Sequence, residues 1–140
     1  MFKSIVAQNS ACNAIVRLVD VGTDHSSAGI YLYDTTAIWP SIFSIPMYNP
    51  DSTTPTPLTR LAMSNPAFMD ATDGTAFASH INDATAFRDG TASMFGVYNR
   101  DSTFIFGGTV SMGVADMILA QTVIEQDQTV VLTSAYYLVP

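Results

Sequence analysis

The side chains of this chain that could do chemistry are two histidines, one cysteine and a scatter of aspartates and serines. His25 and His80 each lie among small polar residues. A zinc site needs three or four ligands at close spacing. The neighbours on offer are Asp24 and Asp83, so both histidines read as surface or hydrogen-bonded residues. Asp70, Asp73, Asp83 and Asp89 cluster in sequence, and carboxylate oxygens suit calcium. The spacing of a calcium-binding EF-hand loop is absent, however. Asp73-Gly74 and Asp89-Gly90 are instead the pairings that form turns. Serines are numerous, but no G-x-S-x-G elbow presents one as a nucleophile. A Ser-His-Asp triad is set by geometry that spacing cannot supply. Gly107-Gly108 lies between two strand candidates and opens no helix, so it reads as a bend or bulge and not as a phosphate loop. The expectation is a protein that is not an enzyme, with no catalytic residue, no metal ligand and no cofactor.

Cys12 has no partner within the chain, which excludes an internal disulfide framework. The stretch Asn9-Ser10-Ala11-Cys12 faintly resembles a lipoprotein cleavage site, but the apolar run before it is broken by Gln8 and Asn9. A buried helix cysteine is the stronger reading. No run approaches the ~20 apolar residues of a transmembrane helix. With 140 residues, 48% hydrophobic and only 12% charged, the chain is expected to form one globular domain, 1–140. Twelve acidic residues against five basic ones give a net charge of −7. That balance argues against nucleic-acid binding, which depends on neutralising phosphates with Lys and Arg. So little charge leaves a surface that suits a covering partner chain. The seven methionines and fifteen aromatics suit a core or an adaptable interface better than a ligand pocket.

The elements that would position these residues are mostly strands. Ala11, Ala14, Ile15, Leu18 and Val19 recur at three- and four-residue spacing, predicting one helix over Ser10–Val21. Ser10 or Asn9 would cap its start, and Gly22 would take the left-handed position at its end. A strand through Ile15–Val21 is the competing reading. Gly29–Asp34 reads as a strand with Ile30 and Leu32 on one face and Tyr31 and Tyr33 on the other. Leu58–Ser64 reads as another, with Leu61 and Met63 pointing one way. Thr75–Ile81 and Ala84–Phe87 follow as short strands. The last third repeats the signal: Thr91–Tyr98, Thr103–Phe106, Asp116–Ile124 and Thr129–Val139 are separated by turns. Strands about every eight to twelve residues suggest an all-β sandwich or barrel. Asp73-Gly74-Thr75-Ala76 recurs as Asp89-Gly90-Thr91-Ala92, so each copy is expected to place a turn before a strand.

Residues 35–57 stand apart. They hold five of the seven prolines: Pro40, Pro46, Pro50, Pro55 and Pro57. Proline cannot donate to a sheet ladder, so this is a long loop, with room for a short edge strand at Ile42–Ile45. Long ordered loops in compact domains usually have a job or a partner. Trp39, Phe43, Met47 and Tyr48 make this one apolar enough to dock, and they are the candidate interaction residues. Plugging the core is the competing role for Trp39.

The order of segments resembles a family of small virion structural proteins of tailed bacteriophages. The resemblance runs through the Asn- and Ala-rich helix segment Gln8–Val21, the small-residue loop Ser26–Gly29, and Ile30-Tyr31-Leu32-Tyr33-Asp34-Thr35-Thr36 with Pro40. It continues through Leu58–Met63 and Asn65-Pro66-Ala67-Phe68 up to Gly74, then Gly90-Thr91-Ala92 leading into Ser93–Tyr98. Gly108-Thr109-Val110, Ala115–Leu119 and Gln128–Pro140 complete it. Asn99-Arg100-Asp101-Ser102 stands where the family has an Asp-Gly turn, and the stretch Asn49–Thr56 is longer than usual. The resemblance implies a particle component, in capsid or tail.

Together these readings predict a mainly β protein: an antiparallel β-sandwich, a jelly roll being one form of it, over 29–139 with one short N-terminal helix. The expected function is that of a bacteriophage capsid cement or decoration protein, located in the virion. Its expected partners are the major capsid protein or another virion protein and further copies of itself, with no nucleic acid and no membrane. The alternatives are a tail, fibre or adaptor subunit, and a carbohydrate-binding β-sandwich module.

Overall fold

The computed structural model describes residues 2–34 and 57–140. The candidate residues Trp39, Phe43, Met47 and Tyr48, and the edge strand considered at Ile42–Ile45, lie outside them. Over these residues the protein is mainly β with one short helix, 37% strand against 12% helix, well above the ~20–25% strand of average domains.

Helix α1 spans Ile5–Leu18, so it begins five residues before the start expected from the sequence. The cause is Ser4, whose side chain accepts a hydrogen bond from the Ala7 amide and caps the helix in place of Asn9 or Ser10. The buried stripe also differs from the expected one. It is Cys12, Val16 and Val19, whereas Leu18 faces solvent. The helix is seated by polar residues beside that stripe. Asn9, Asn13 and Asp20 accept from the backbone amides of Gly74, Ala71 and Ala67 at 2.7, 2.8 and 2.8 Å. These three acceptors run antiparallel to the segment they hold and take the place of a β ladder. Gly22 has the left-handed φ foreseen for it, +121°, but three residues beyond the Val19 cap. What keeps it glycine is the Asp101 carboxyl, which a Cβ would meet at 2.6 Å.

Among the described residues eleven strands follow: β1 Gly29–Tyr33, β2 Thr59–Ala62, β3 Thr75–Phe77, β4 Ala84–Thr85, β5 Gly90–Thr91, β6 Met94–Tyr98, β7 Phe104–Ser111, β8 Met117–Ile118, β9 Val123–Ile124, β10 Thr129–Val130 and β11 Tyr136–Leu138. Five form one sheet in the order β2-β1-β6-β7-β8, and the rest pair as ribbons β10-β4, β11-β3 and β5-β9. Every pairing is antiparallel among the described residues except β7 with β8.

The sequence placed Gly107-Gly108 in a connection, but both lie inside β7. Gly107 faces Gly96 across β6, so two bare positions meet, and a Cβ on Gly107 would collide with the Phe95 carbonyl. Close backbone approach, not a turn, explains the pair. The long segments expected at Asp116–Ile124 and Thr129–Val139 each break into two short strands, because their halves join different sheets.

Alternation along β1 separates two apolar clusters. Ile30 and Leu32 join the main one with Leu61, Met63, Phe95 and Val97. Tyr31 and Tyr33 join Met94 and Tyr98 on the opposite face, against Phe104. β1 and β6 are therefore buried at every position.

Candidate interaction surface

The outer face of ribbon β3–β11 follows from its register. Tyr136 pairs with Phe77, Tyr137 with Ala76 and Leu138 with Thr75. Period-two alternation turns Ala76 and Tyr137 inward, where Tyr137 meets Phe106 at 4.8 Å between ring centres. The same alternation turns Phe77, Tyr136 and Leu138 outward, 51%, 63% and 53% exposed. The Phe77 and Tyr136 rings tilt together at 5.8 Å.

Tyr136 also borders a cleft of about 250 Å³ lined by Phe68, Phe106, Met117, Ile118 and Leu132. Ile118 is exposed at its rim. The outer ribbon face and the cleft thus form one apolar surface with Tyr136 at the join. Asp116 is the carboxylate in the cleft lining. Its Oδ2 accepts from the Thr109 amide at 2.9 Å and the Thr109 hydroxyl at 3.0 Å. Those bonds, the backbone one foremost, hold its carboxyl below the usual value and keep it charged at neutral pH. Gly108 makes room for this strut, since a Cβ there would lie 2.6 Å from that of Asp116.

The chemistry-bearing residues of the sequence are spread apart. His25 Nε2 lies 3.2 Å from the Ser102 hydroxyl, and His80 is exposed. Asp70 pairs with Arg17 at 3.2 Å. Asp73, with φ of +51°, shapes the turn into β3. Asp89 accepts from the Gln126 amide at 2.6 Å and leads into β5. The first Asp-Gly-Thr-Ala copy places a turn before β3, as expected, whereas in the second copy Gly90-Thr91 is itself strand β5 and Asp89-Gly90 forms no turn. Among the described residues, no three His, Cys, Asp or Glu side chains gather in a group that could hold a metal ion. Cys12 is buried in α1 with its thiol 3.5 Å from the Tyr137 carbonyl oxygen, and burial pushes the thiol pKa up.

Two polar constellations are structural. Asp101 accepts from the amides of Thr23 and Asp24 at 2.7 and 3.2 Å, clamping the post-helix loop to the β6–β7 hairpin. On the aromatic face of the sheet, the Tyr33 and Tyr98 hydroxyls lie 3.2 Å apart, and Tyr98 meets Tyr31 edge-on at 5.0 Å. Burial raises the pKa of both phenols, that of Tyr33 well above the ordinary tyrosine range.

Sequence reasoning did not single out Phe77, Tyr136, Leu138 or Ile118. The available signal was Tyr136-Tyr137-Leu138, because three successive large apolar residues in a strand cannot all face one core.

Comparison with family models, with curated protein sequences and with solved structures finds no match for this chain.

Proposed function

We propose that this protein is a non-enzymatic structural subunit of a bacteriophage virion, a capsid cement or decoration protein that binds major capsid subunits and stabilises the shell. The observation that carries the reading is the apolar surface formed by Phe77, Tyr136, Leu138 and the cleft beside them. Large exposed apolar patches on a folded domain mark sites where another chain sits. A surface with few charges loses little by desolvation when it is covered. The order of segments that resembles small phage virion proteins supplies the biological setting. We also read the five-stranded sheet and its ribbons as a β-sandwich of the jelly-roll kind, a description that an experimental structure would test.

The deciding experiment is to measure copy number in purified particles and to locate the chain's density in a particle reconstruction. Cement requires a stoichiometry near that of the major capsid protein and density on the shell. Tens of copies at most, with density on the tail, would make it a tail, fibre or adaptor subunit. The exposed Phe77 and Tyr136 rings favour a second reading, a carbohydrate-binding module. Glycan affinity of the isolated chain, together with its absence from particles, would establish that reading instead.

A further inference from the structure

We infer that the protein assembles head to tail, the projecting start of α1 in one copy seating in the apolar cleft of a second copy. This inference rests on the reading of the chain as an assembly component and names a partner for its cleft.

The start of α1 has the form of a plug. Phe2, Ile5 and Val6 are exposed, Val6 at 75%. The helix cannot turn back to cover them, because Asn9, Asn13 and Asp20 fix it against residues 67–74. None of the three lines the cleft of its own chain.

Charge selects the occupant. Residues 1–19 contain Lys3 and Arg17 and no acidic residue, a charge of +2. Residues 20–140 contain three arginines against twelve acidic residues, a charge of −9, and the two parts sum to the chain's −7. Arg17 is paired with Asp70, which leaves Lys3 as the side-chain cation at the projecting end, where it reaches the Pro140 carbonyl oxygen at 3.1 Å. The first turn of α1 carries no acidic residue, so nothing on it offsets the positive pole of the helix dipole. The cleft supplies the opposite pattern: apolar walls from Phe106, Met117, Ile118 and Tyr136, and the carboxylate of Asp116. A cationic apolar plug and an anionic apolar cleft on one acidic chain favour each other over two plugs or two clefts. Because the two surfaces differ, the contact is heterologous and builds rings or open chains of subunits.

Sedimentation velocity of the full chain over a concentration series tests this. Wild type should associate reversibly and grow beyond a dimer. Val6→Asp removes the plug and Ile118→Asp removes the cleft. Each should weaken association by roughly thirtyfold, the effect of one interface hot spot. Both residues are exposed, and circular dichroism would confirm that each variant is folded. An equimolar mixture of the two variants retains one good plug and one good cleft, so it should form a dimer and stop there. Lys3→Glu should weaken association and reduce its salt dependence. A wild-type chain that stays monomeric to about 1 mM would overturn the inference. So would association that survives Val6→Asp, or a variant mixture that fails to pair. Self-association by a chain that is absent from particles would keep this interface and remove the virion reading. A monomeric chain found on the capsid would do the reverse.

Discussion

In the five-stranded sheet, β1 and β6 bury every residue they contain, and β1 is bonded on both sides. In ribbon β3–β11, three residues a side pair with each other, and three large side chains face solvent. The sheet is held by long registers and by apolar packing on both faces. The ribbon side of the molecule packs on the core through one face only: α1 through Cys12 and Val16 and its side-chain acceptors, and β11 through Tyr137 and its short register with β3. Function can therefore reside only where one face is left bare. The central strands β1 and β6 are covered, and the sheet opens to a partner only towards its β7–β8 edge, where Phe106, Met117 and Ile118 line the cleft. A ribbon that buries one face, through Ala76 and Tyr137, can present the apolar side chains of the other.

The largest expected loss lies in the sheet. Leu61 is fully buried in the main cluster, so Leu61→Ala should cost about 2–5 kcal/mol through lost transfer energy and a residual cavity. Urea denaturation would measure it, and a loss below about 1 kcal/mol would show that the site collapses freely.

The helix seam comes next. Asn13→Ala leaves the buried amide of Ala71 without its acceptor, which should cost about 1–3 kcal/mol. Asn13→Asp keeps an acceptor oxygen and should recover most of that loss. Equal losses in the two variants would show that the hydrogen bond is not what seats the helix.

A third test uses pH. The Arg88 guanidinium donates to both Asp34 oxygens at 2.8 and 2.9 Å and holds that carboxyl below the ordinary carboxylate range. Because the folded pKa is lowered, the stabilisation is complete above the unfolded value and is lost as pH falls through the folded one. Melting temperature should therefore decline below about pH 4, and Asp34→Asn should flatten part of that decline. The buried phenols of Tyr33 and Tyr98 act at the other limit. Their pKa values are raised, so the unfolded chain loses these protons first. Stability should then fall as pH rises past about 10.

The smallest effect belongs to the outer ribbon face. Tyr136→Ser removes an exposed ring and should change stability by no more than about 0.5 kcal/mol, while weakening capture by whatever covers that face. A large drop in the free chain's melting temperature would mean that Tyr136 supports the core and is not an interaction residue.

How much of this was legible depended on periodicity. β1 was legible to within a residue because alternation of Ile30 and Leu32 with Tyr31 and Tyr33 has one reading. The turn at Asp73-Gly74 was legible from its residue types, but the same pair at Asp89-Gly90 misled, because Gly90 lies in strand β5 paired with Ile124. The helix was legible as an element, but not its start or its buried face. Its docking relies on Asn and Asp side chains, which hydropathy scores as solvent-facing. The division of the last third into ribbons was hidden because a two-residue strand is shorter than any period. The interaction surface was missed for a related reason: an apolar residue in a short strand gives no sign of which way it points. The candidate residues in the Pro-rich stretch, Trp39, Phe43, Met47 and Tyr48, lie outside the described residues.

The three acceptors on α1 and the turn that ends it carry a consequence for the timescale of amide exchange. Ala67, Ala71 and Gly74 lie in a stretch without regular strand or helix, where backbone protons ordinarily exchange with solvent fast. Here each of those three amides is tied to a side chain of another element. They should exchange together, at the rate at which α1 lifts off. In deuterium labelling, this irregular stretch would then report the opening of the helix instead of its own local motion.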